Sequence, residues 1–254
     1  MIDSNAIYVV WLREMKRFAR AKSRVIGILV MPLFFLLGLG IGLGSLISQE
    51  IAGGSYLQFI VPGIIGMALM STASSSGFST IWDRQFGFLK EIMVTPNSRA
   101  SIVVGRMLGG STTAMVSALI VTMVSLLIGF HIQLTIAVLL AIIFMLLIAL
   151  VFISIGLILA SVITDLQGFG MITSFLTMPL LFLSNGLFPL SQFPQTVQEI
   201  AYFNPLSYGI DGIRGALGGV STLPMTTDLG VLALFVVALA SIAVYAFSKS
   251  EAGV

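Results

Sequence analysis

The sequence predicts an all-α polytopic membrane protein: six transmembrane helices, an N-terminal amphipathic helix at the interface, a short helix in a cytoplasmic loop, and re-entrant helices on the outer side. Three observations carry this. Of 254 residues, 57% are hydrophobic and only 9% charged, whereas a soluble domain carries about 25% charged residues. Six apolar runs are each long enough to cross a hydrocarbon core of about 30 Å. The cations gather on one side of those runs.

The runs are residues 25–47, 57–82, 107–130, 134–163, 167–187 and 229–247. None has a charge in its interior, and one charge at the bilayer centre would cost about 2.5–3.5 kcal/mol on the insertion scale. Arg13, Lys16, Arg17, Arg20, Lys22 and Arg24 precede the first run. Arg84, Lys90, Arg99 and Arg106 fall between the second and third, and Lys249 follows the sixth. Of the 12 cations only Arg214 lies on the opposite side. The positive-inside rule then places both termini in the cytoplasm of a multi-pass protein of the cell membrane. Residues 1–254 are expected to form a single transmembrane domain. The first 24 residues are polar and basic for too long to be a cleavable signal, so the first run is expected to be retained.

Three segments are not simple spans. Within residues 1–24, Ile7, Trp11, Met15 and Phe18 repeat at helical spacing, with basic residues mostly on other faces. Such a helix should lie along the inner membrane surface, capped by Ser4 or Asn5. The loop 83–99 places Phe86, Leu89 and Met93 at i, i+3, i+7, a short amphipathic helix that Pro96 should end. Its apolar side is too small for a core of its own and needs lipid or another protein to rest on. Residues 188–228 carry four prolines and two short apolar faces, one of Val197, Ile200 and Ala201, the other of Leu206, Ile210, Ile213 and Leu217. Two short helices dipping into the outer leaflet fit that pattern. Re-entrant backbone is tolerated where protein or water satisfies its polar groups.

Several side chains stand out. Gly38, Gly40, Gly42 and Gly44 in the first run, and Gly105 with Gly109, have GxxxG-type spacing that brings helices close, within the chain or between copies. Ser71, Ser74 and Ser75 are candidates for a polar translocation path, although hydroxyls in a helix can also bond to their own preceding turn. Arg106 is expected to snorkel to phosphate headgroups. Asp211 and Arg214, spaced i, i+3, could pair or hold their helix at the interface. Cysteine is absent and His131 is the one histidine, which removes thiol chemistry, disulfides and His-pair metal sites. Neither a catalytic residue nor a metal site is indicated. The chain contains no GxxxxGK[ST] phosphate loop. No acid or base lies inside a run to carry protons or ions.

Two stretches carry a resemblance. Residues 84–106 read RQFGFLKEIMVTPNSRASIVVGR, and residues 184–214 read SNGLFPLSQFPQTVQEIAYFNPLSYGIDGIR. With the basic N-terminus and Pro32 near the start of the first run, their order and spacing resemble the permease subunits of ABC-2 type exporters, in the branch of daunorubicin-resistance and nodulation-factor export permeases. The resemblance implies that the loop after the second span is a coupling helix docking on a separate ATPase subunit, with Arg84, Phe86, Leu89, Lys90 and Glu91 as contacts. It also implies that Phe188 and Pro189 belong to an outer gate.

The function expected is therefore the transmembrane permease subunit of an ATP-binding-cassette exporter for a hydrophobic or amphipathic substrate (a drug, lipid or lipid-linked glycan). The chain would hold no cofactor and would not itself be an enzyme; ATP and Mg would sit on the partner ATPase. The other partners expected are a second permease copy, giving a homodimer, and membrane lipid, with no nucleic acid. The alternative is a self-contained channel or secondary transporter. An intramembrane enzyme ranks last, because the serines of the second run have no histidine or lysine near them to activate them.

Overall fold

A computed structural model describes residues 3–42, 56–86, 99–133, 136–219 and 221–250. The described residues are helical with no strands. The helices are α1 (Ser4–Arg20), α2 (Lys22–Phe35, continuing as a π-helical stretch Leu36–Gly42), α3 (Tyr56–Gln85), α4 (Arg99–Ile128), α5 (Ala137–Val162), α6 (Leu166–Phe182), α7 (Gln195–Ala201), α8 (Pro205–Ala216) and α9 (Met225–Ser250).

Five helical stretches are long and apolar enough to cross a membrane: Val25–Gly42, Tyr56–Gln85, Ala100–Ile128, Ala137–Val162 and Met225–Lys249. The expected span at 167–187 is the helix Leu166–Phe182, 17 residues long. At 1.5 Å per residue it reaches about 26 Å, below the usual hydrocarbon thickness. A count of six full-length spans therefore does not follow from helix length.

Two boundaries differ in ways that matter. α3 runs past residue 82 to Gln85, so Asp83 belongs to its last turn rather than to a loop. α4 begins at Arg99, eight residues before the expected start at 107, so Arg106 lies within it. In both cases the charged group is paired inside the protein, and the helix continues through it.

α3 and α5 form the centre. Helix association in lipid depends on packing more than on expulsion of water, so small residues decide where backbones approach. Gly77 of α3 and Gly156 of α5 face each other, and a Cβ on Gly77 would collide with the Gly156 carbonyl. At the other end of α3, Gly63 lies against Gly186 and Gly66 against Ile210. Two other glycines of α8 seat that helix on α5: Gly209 meets Ile148, and Gly212 meets the Phe144 ring. Leu206, Ile210 and Ile213 are buried as their spacing predicts. Gly129, at φ 109°, ends α4 and lets Phe130 N–H donate to Ser125 O at 3.0 Å. That conformation suits glycine.

α1 is docked on protein. A Cβ on Gly105 would lie 2.8 Å from Val10 Cβ, and one on Gly109 2.8 Å from Glu14 Cβ. Trp11 Nε1–H donates to Thr112 Oγ1 at 3.1 Å. The Gly105/Gly109 pair thus serves packing within the chain, whereas Gly38 and Gly42 have open space beside them. The cap is Asp3, not Ser4 or Asn5: its side chain accepts from Asn5 N–H at 2.9 Å, while its own N–H donates to Ser101 Oγ at 2.9 Å.

Candidate functional site

Two polar assemblies sit at opposite ends of α3. Phe59 borders one and Asp83 the other, and the 24 residues between them span about 36 Å of one continuous helix.

At the Asp83 end, three guanidinium groups converge on one carboxylate. Arg106 donates to Asp83 Oδ2 at 2.8 Å and to Thr80 Oγ1 at 2.7 Å. Arg13 and Arg17 of α1 donate to Oδ1 at 2.5 and 2.7 Å, and Glu14 lies 3.7 Å from Arg17. Asp83 and Arg106 are 2% exposed, Arg13 and Arg17 25% and 28%. Charge-assisted bonds are about twice as strong as neutral ones. Breaking a buried pair by removing one partner costs about 3–5 kcal/mol. The junction therefore locks α1 to the last turn of α3 and the second turn of α4, the two helices that flank residues 87–98. Arg106 does not snorkel to headgroups; it is buried, and its terminal nitrogens are taken by protein.

Of the expected coupling residues, Arg84 and Phe86 lie at the end of α3, where Phe86 is exposed and stacks on Trp82 with ring centroids 5.0 Å apart. Leu89, Lys90 and Glu91 lie outside the described residues. Of the candidate path residues, Ser74 is buried while Ser71 and Ser75 are partly covered. Ser75 Oγ–H donates to Thr72 O at 2.6 Å, the local bond open to any helical serine.

At the Phe59 end, a cavity of about 450 Å³ is lined by Phe59, Asn185, Pro189, Gln192, Tyr202, Arg214 and their neighbours. Pro189 thus borders it, and Phe188 stacks on Phe182 of α6 with centroids 6.5 Å apart. Arg214 and Asp211 line it together. Arg214 lies over the Phe59 ring, 4.2 Å from the centroid, and donates to Asn185 O at 2.5 Å. Asn185 is held at φ 56°, a left-handed conformation that asparagine tolerates. Burial lowers the Arg214 guanidinium to about 10 and nearby Asp211 opposes the shift, so it stays charged at neutral pH. Asp211 sits 3.5 Å from Arg214 and accepts from Thr222 N–H, Thr222 Oγ1–H and Leu223 N–H at 2.7–3.0 Å. The pair is real but buried; it holds loops around the cavity instead of resting at an aqueous interface. Asn204 caps α8 and its amide donates to Leu180 O at 2.6 Å, tying α8 to the end of α6. Asp228, at the first turn of α9, is 0% exposed, with neither carboxylate oxygen hydrogen-bonded among the described residues. With Asp83 and Arg106 it corrects the expectation that no ionisable group lies within a span.

The family described as ABC-2 type transporter matches residues 5–217. The chain belongs to the ABC-2 type transporter family. It is 29% identical over 251 residues to the inner membrane transport permease YadH of Escherichia coli K12, covering 92% of this chain and 91% of that one. It is 29% identical over 231 residues to nodulation protein J of Rhizobium leguminosarum bv. viciae, covering 90% and 88%. It is 28% identical over 224 residues to the probable doxorubicin resistance ABC transporter permease protein DrrC of Mycobacterium tuberculosis, covering 84% and 77%. This ABC-2 chain is a multi-pass membrane permease component of a transporter, and the family implies an ATPase partner.

Sequence reasoning missed the junction at Asp83. A signal was present: Thr80 and Asp83 are i, i+3 at the end of an apolar run, so they share a face, and Arg106 stands one helix away.

Proposed function

We propose that this permease is the membrane subunit of an ABC exporter, that the segment following the buried Asp83, up to residue 99, docks on the ATPase subunit, and that two copies form the transport unit with both termini cytoplasmic. The observation that carries this reading is the continuity of α3. One buried helix runs from the Asp83 junction, beside the coupling segment, to the Phe59 wall of the outer cavity. Displacement of the junction by ATP-driven closure of the partner would tilt or shift α3 and so disturb the cavity wall, because packed cores switch between arrangements and do not deform smoothly.

α1 moves with this block. Its docking on α4 and its two arginine bonds to Asp83, beside that of Arg106, make α1, the end of α3 and the start of α4 one unit, and the ATPase would push on that unit through Phe86, Leu89, Lys90 and Glu91. ATP and Mg belong to the partner. Ser71, Ser74 and Ser75 in the middle of α3 are the proposed path residues, and Phe188 and Pro189 the outer gate. The substrate is hydrophobic or amphipathic, in keeping with relatives named for nodulation and for doxorubicin resistance. The second copy is proposed to cover part of α6, where Met171, Phe175 and Met178 are exposed.

The test is Glu91→Arg in the complex with its ATPase. Substrate-stimulated ATP hydrolysis should fall several-fold while membrane insertion and the Asp83 junction stay intact. Unchanged stimulation would show that the segment does not couple.

A further inference from the structure

The Asp83 junction sets three guanidiniums, Arg13, Arg17 and Arg106, against two acids, Asp83 and Glu14. Lys16, Arg20 and Lys22 follow on the same stretch of chain. Beside Arg17 the surface opens into a groove of about 270 Å³, lined by Arg17 from α1 and by Phe78, Ser79 and Trp82 from α3. Phe78 and Trp82 are i, i+4 on α3, so they form one column about 6 Å long along the helix axis. Trp82 is 47% exposed at the junction end of that column, where tryptophan belongs at a membrane–water boundary. Phe78 lies one turn deeper, its ring edge-on to Phe169 with centroids 6.0 Å apart. Arg17 gives one terminal nitrogen to Asp83 at 2.7 Å, and its nearest contact to Glu14 is 3.7 Å. A guanidinium has five N–H donors, so Arg17, which lines the groove, keeps donor capacity beyond these two contacts.

We propose that this groove binds one anionic phospholipid of the inner leaflet, with its phosphate at Arg17 and an acyl chain along Trp82 and Phe78. The surplus positive charge selects an anionic headgroup. The aromatic column beneath it selects an amphiphile over a free anion. A bound phosphate would give Arg17 a further anionic partner beside Asp83 and Glu14 and brace α1 against α3, so lipid composition would tune the stiffness of the junction. The inner-leaflet placement rests on the topology proposed above, but binding itself does not depend on coupling to an ATPase.

Trp82 is one of only two tryptophans, which makes the groove observable. The full chain is placed in phosphatidylcholine nanodiscs doped with phosphatidylglycerol or phosphatidylcholine brominated on the acyl chain. Quenching is read as the difference between wild type and Trp82→Phe, which removes the Trp11 signal. The expected result is half-quenching at about fivefold lower mole fraction for the anionic lipid, the factor that one basic residue contributes near an anionic surface. Arg17→Gln should abolish the preference. Arg17→Lys, which keeps the charge of the junction, should retain part of it. Arg13→Gln, which removes a charge from the same carboxylate but does not line the groove, should leave it. Equal quenching of wild type by the two lipids overturns the proposal. Equal loss of preference in Arg13→Gln and Arg17→Gln also overturns it, since that marks a diffuse surface charge. Suppression by inorganic phosphate overturns it too, since that marks a site for free anions.

Discussion

Replacing Asp83 by asparagine keeps the shape of the side chain and removes its charge. Three guanidiniums then lose their common counter-ion. Arg106 suffers most, being 2% exposed and 2.8 Å from the carboxylate. At an effective dielectric of about 20 the direct attraction at that distance is about 6 kcal/mol. Much of it is offset by the desolvation already incurred, and removal of one partner from a buried pair costs about 3–5 kcal/mol. Arg13 and Arg17 are about a quarter exposed and can turn to water, so each adds under about 1 kcal/mol. Asp83→Asn should therefore destabilise the chain by about 3–5 kcal/mol, and Arg13→Gln or Arg17→Gln by about 1 or less. Adding Arg106→Met to Asp83→Asn should recover part of the loss, because an uncharged pair no longer leaves a guanidinium stranded. Thermal unfolding in nanodiscs gives the ranking, and amide exchange reports whether residues 4–20 lose protection first. If Asp83→Asn unfolds like wild type, or if Arg13→Gln costs as much as Asp83→Asn, then Asp83 is not the centre of the junction.

Other contacts make independent predictions. Gly109→Leu pushes a side chain into Glu14, whose Cβ would be 2.8 Å from the new Cβ; overpacking of this kind costs about 1–3 kcal/mol, and trypsin should then cut faster at Arg13, Arg17 and Arg20. Arg214→Met removes the donor to Asn185 O and leaves Asp211 without its cation, at a cost of about 3–5 kcal/mol. Because the chain has no cysteine, a single Ser191→Cys at the cavity rim can report the change: an impermeant maleimide should react faster in the Arg214→Met background, and an unchanged rate would show that Arg214 does not hold the outer loops. Gly77→Leu, which drives a side chain into the Gly156 carbonyl, should abolish folding, read as loss of a monodisperse peak in detergent, whereas Gly38→Leu, with open space beside it, should fold normally.

How much of this was legible in the sequence depends on the kind of interaction. The apolar runs fixed the long helices because length and the absence of charge are local properties. The two short outer helices were legible for the same reason: Pro205 and the period of Leu206, Ile210 and Ile213 mark α8 on their own. What failed was the treatment of charges at helix ends. Asp83 and Arg106 look like residues that stop a span, and each would if it faced lipid. They are instead neutralised by one another and by α1, whose Arg13 and Arg17 lie 70 and 66 positions earlier in the chain than Asp83. Such long-range pairing leaves no periodic trace. Asp228 was passed over similarly, since an acid just before an apolar run reads as a solvated boundary. The partner of Gly105 and Gly109 was ambiguous because spacing shows that a helix approaches, not which one, and the structure answers with α1.

The central claim is that this permease moves solute only when a second polypeptide drives it. The most direct measurement is flux into vesicles holding the chain alone or with the ATPase that co-purifies with it, with and without ATP. The account predicts uphill movement of an amphipathic solute only when both subunits and hydrolysable ATP are present. Sustained uphill movement by the lone chain without nucleotide would contradict it.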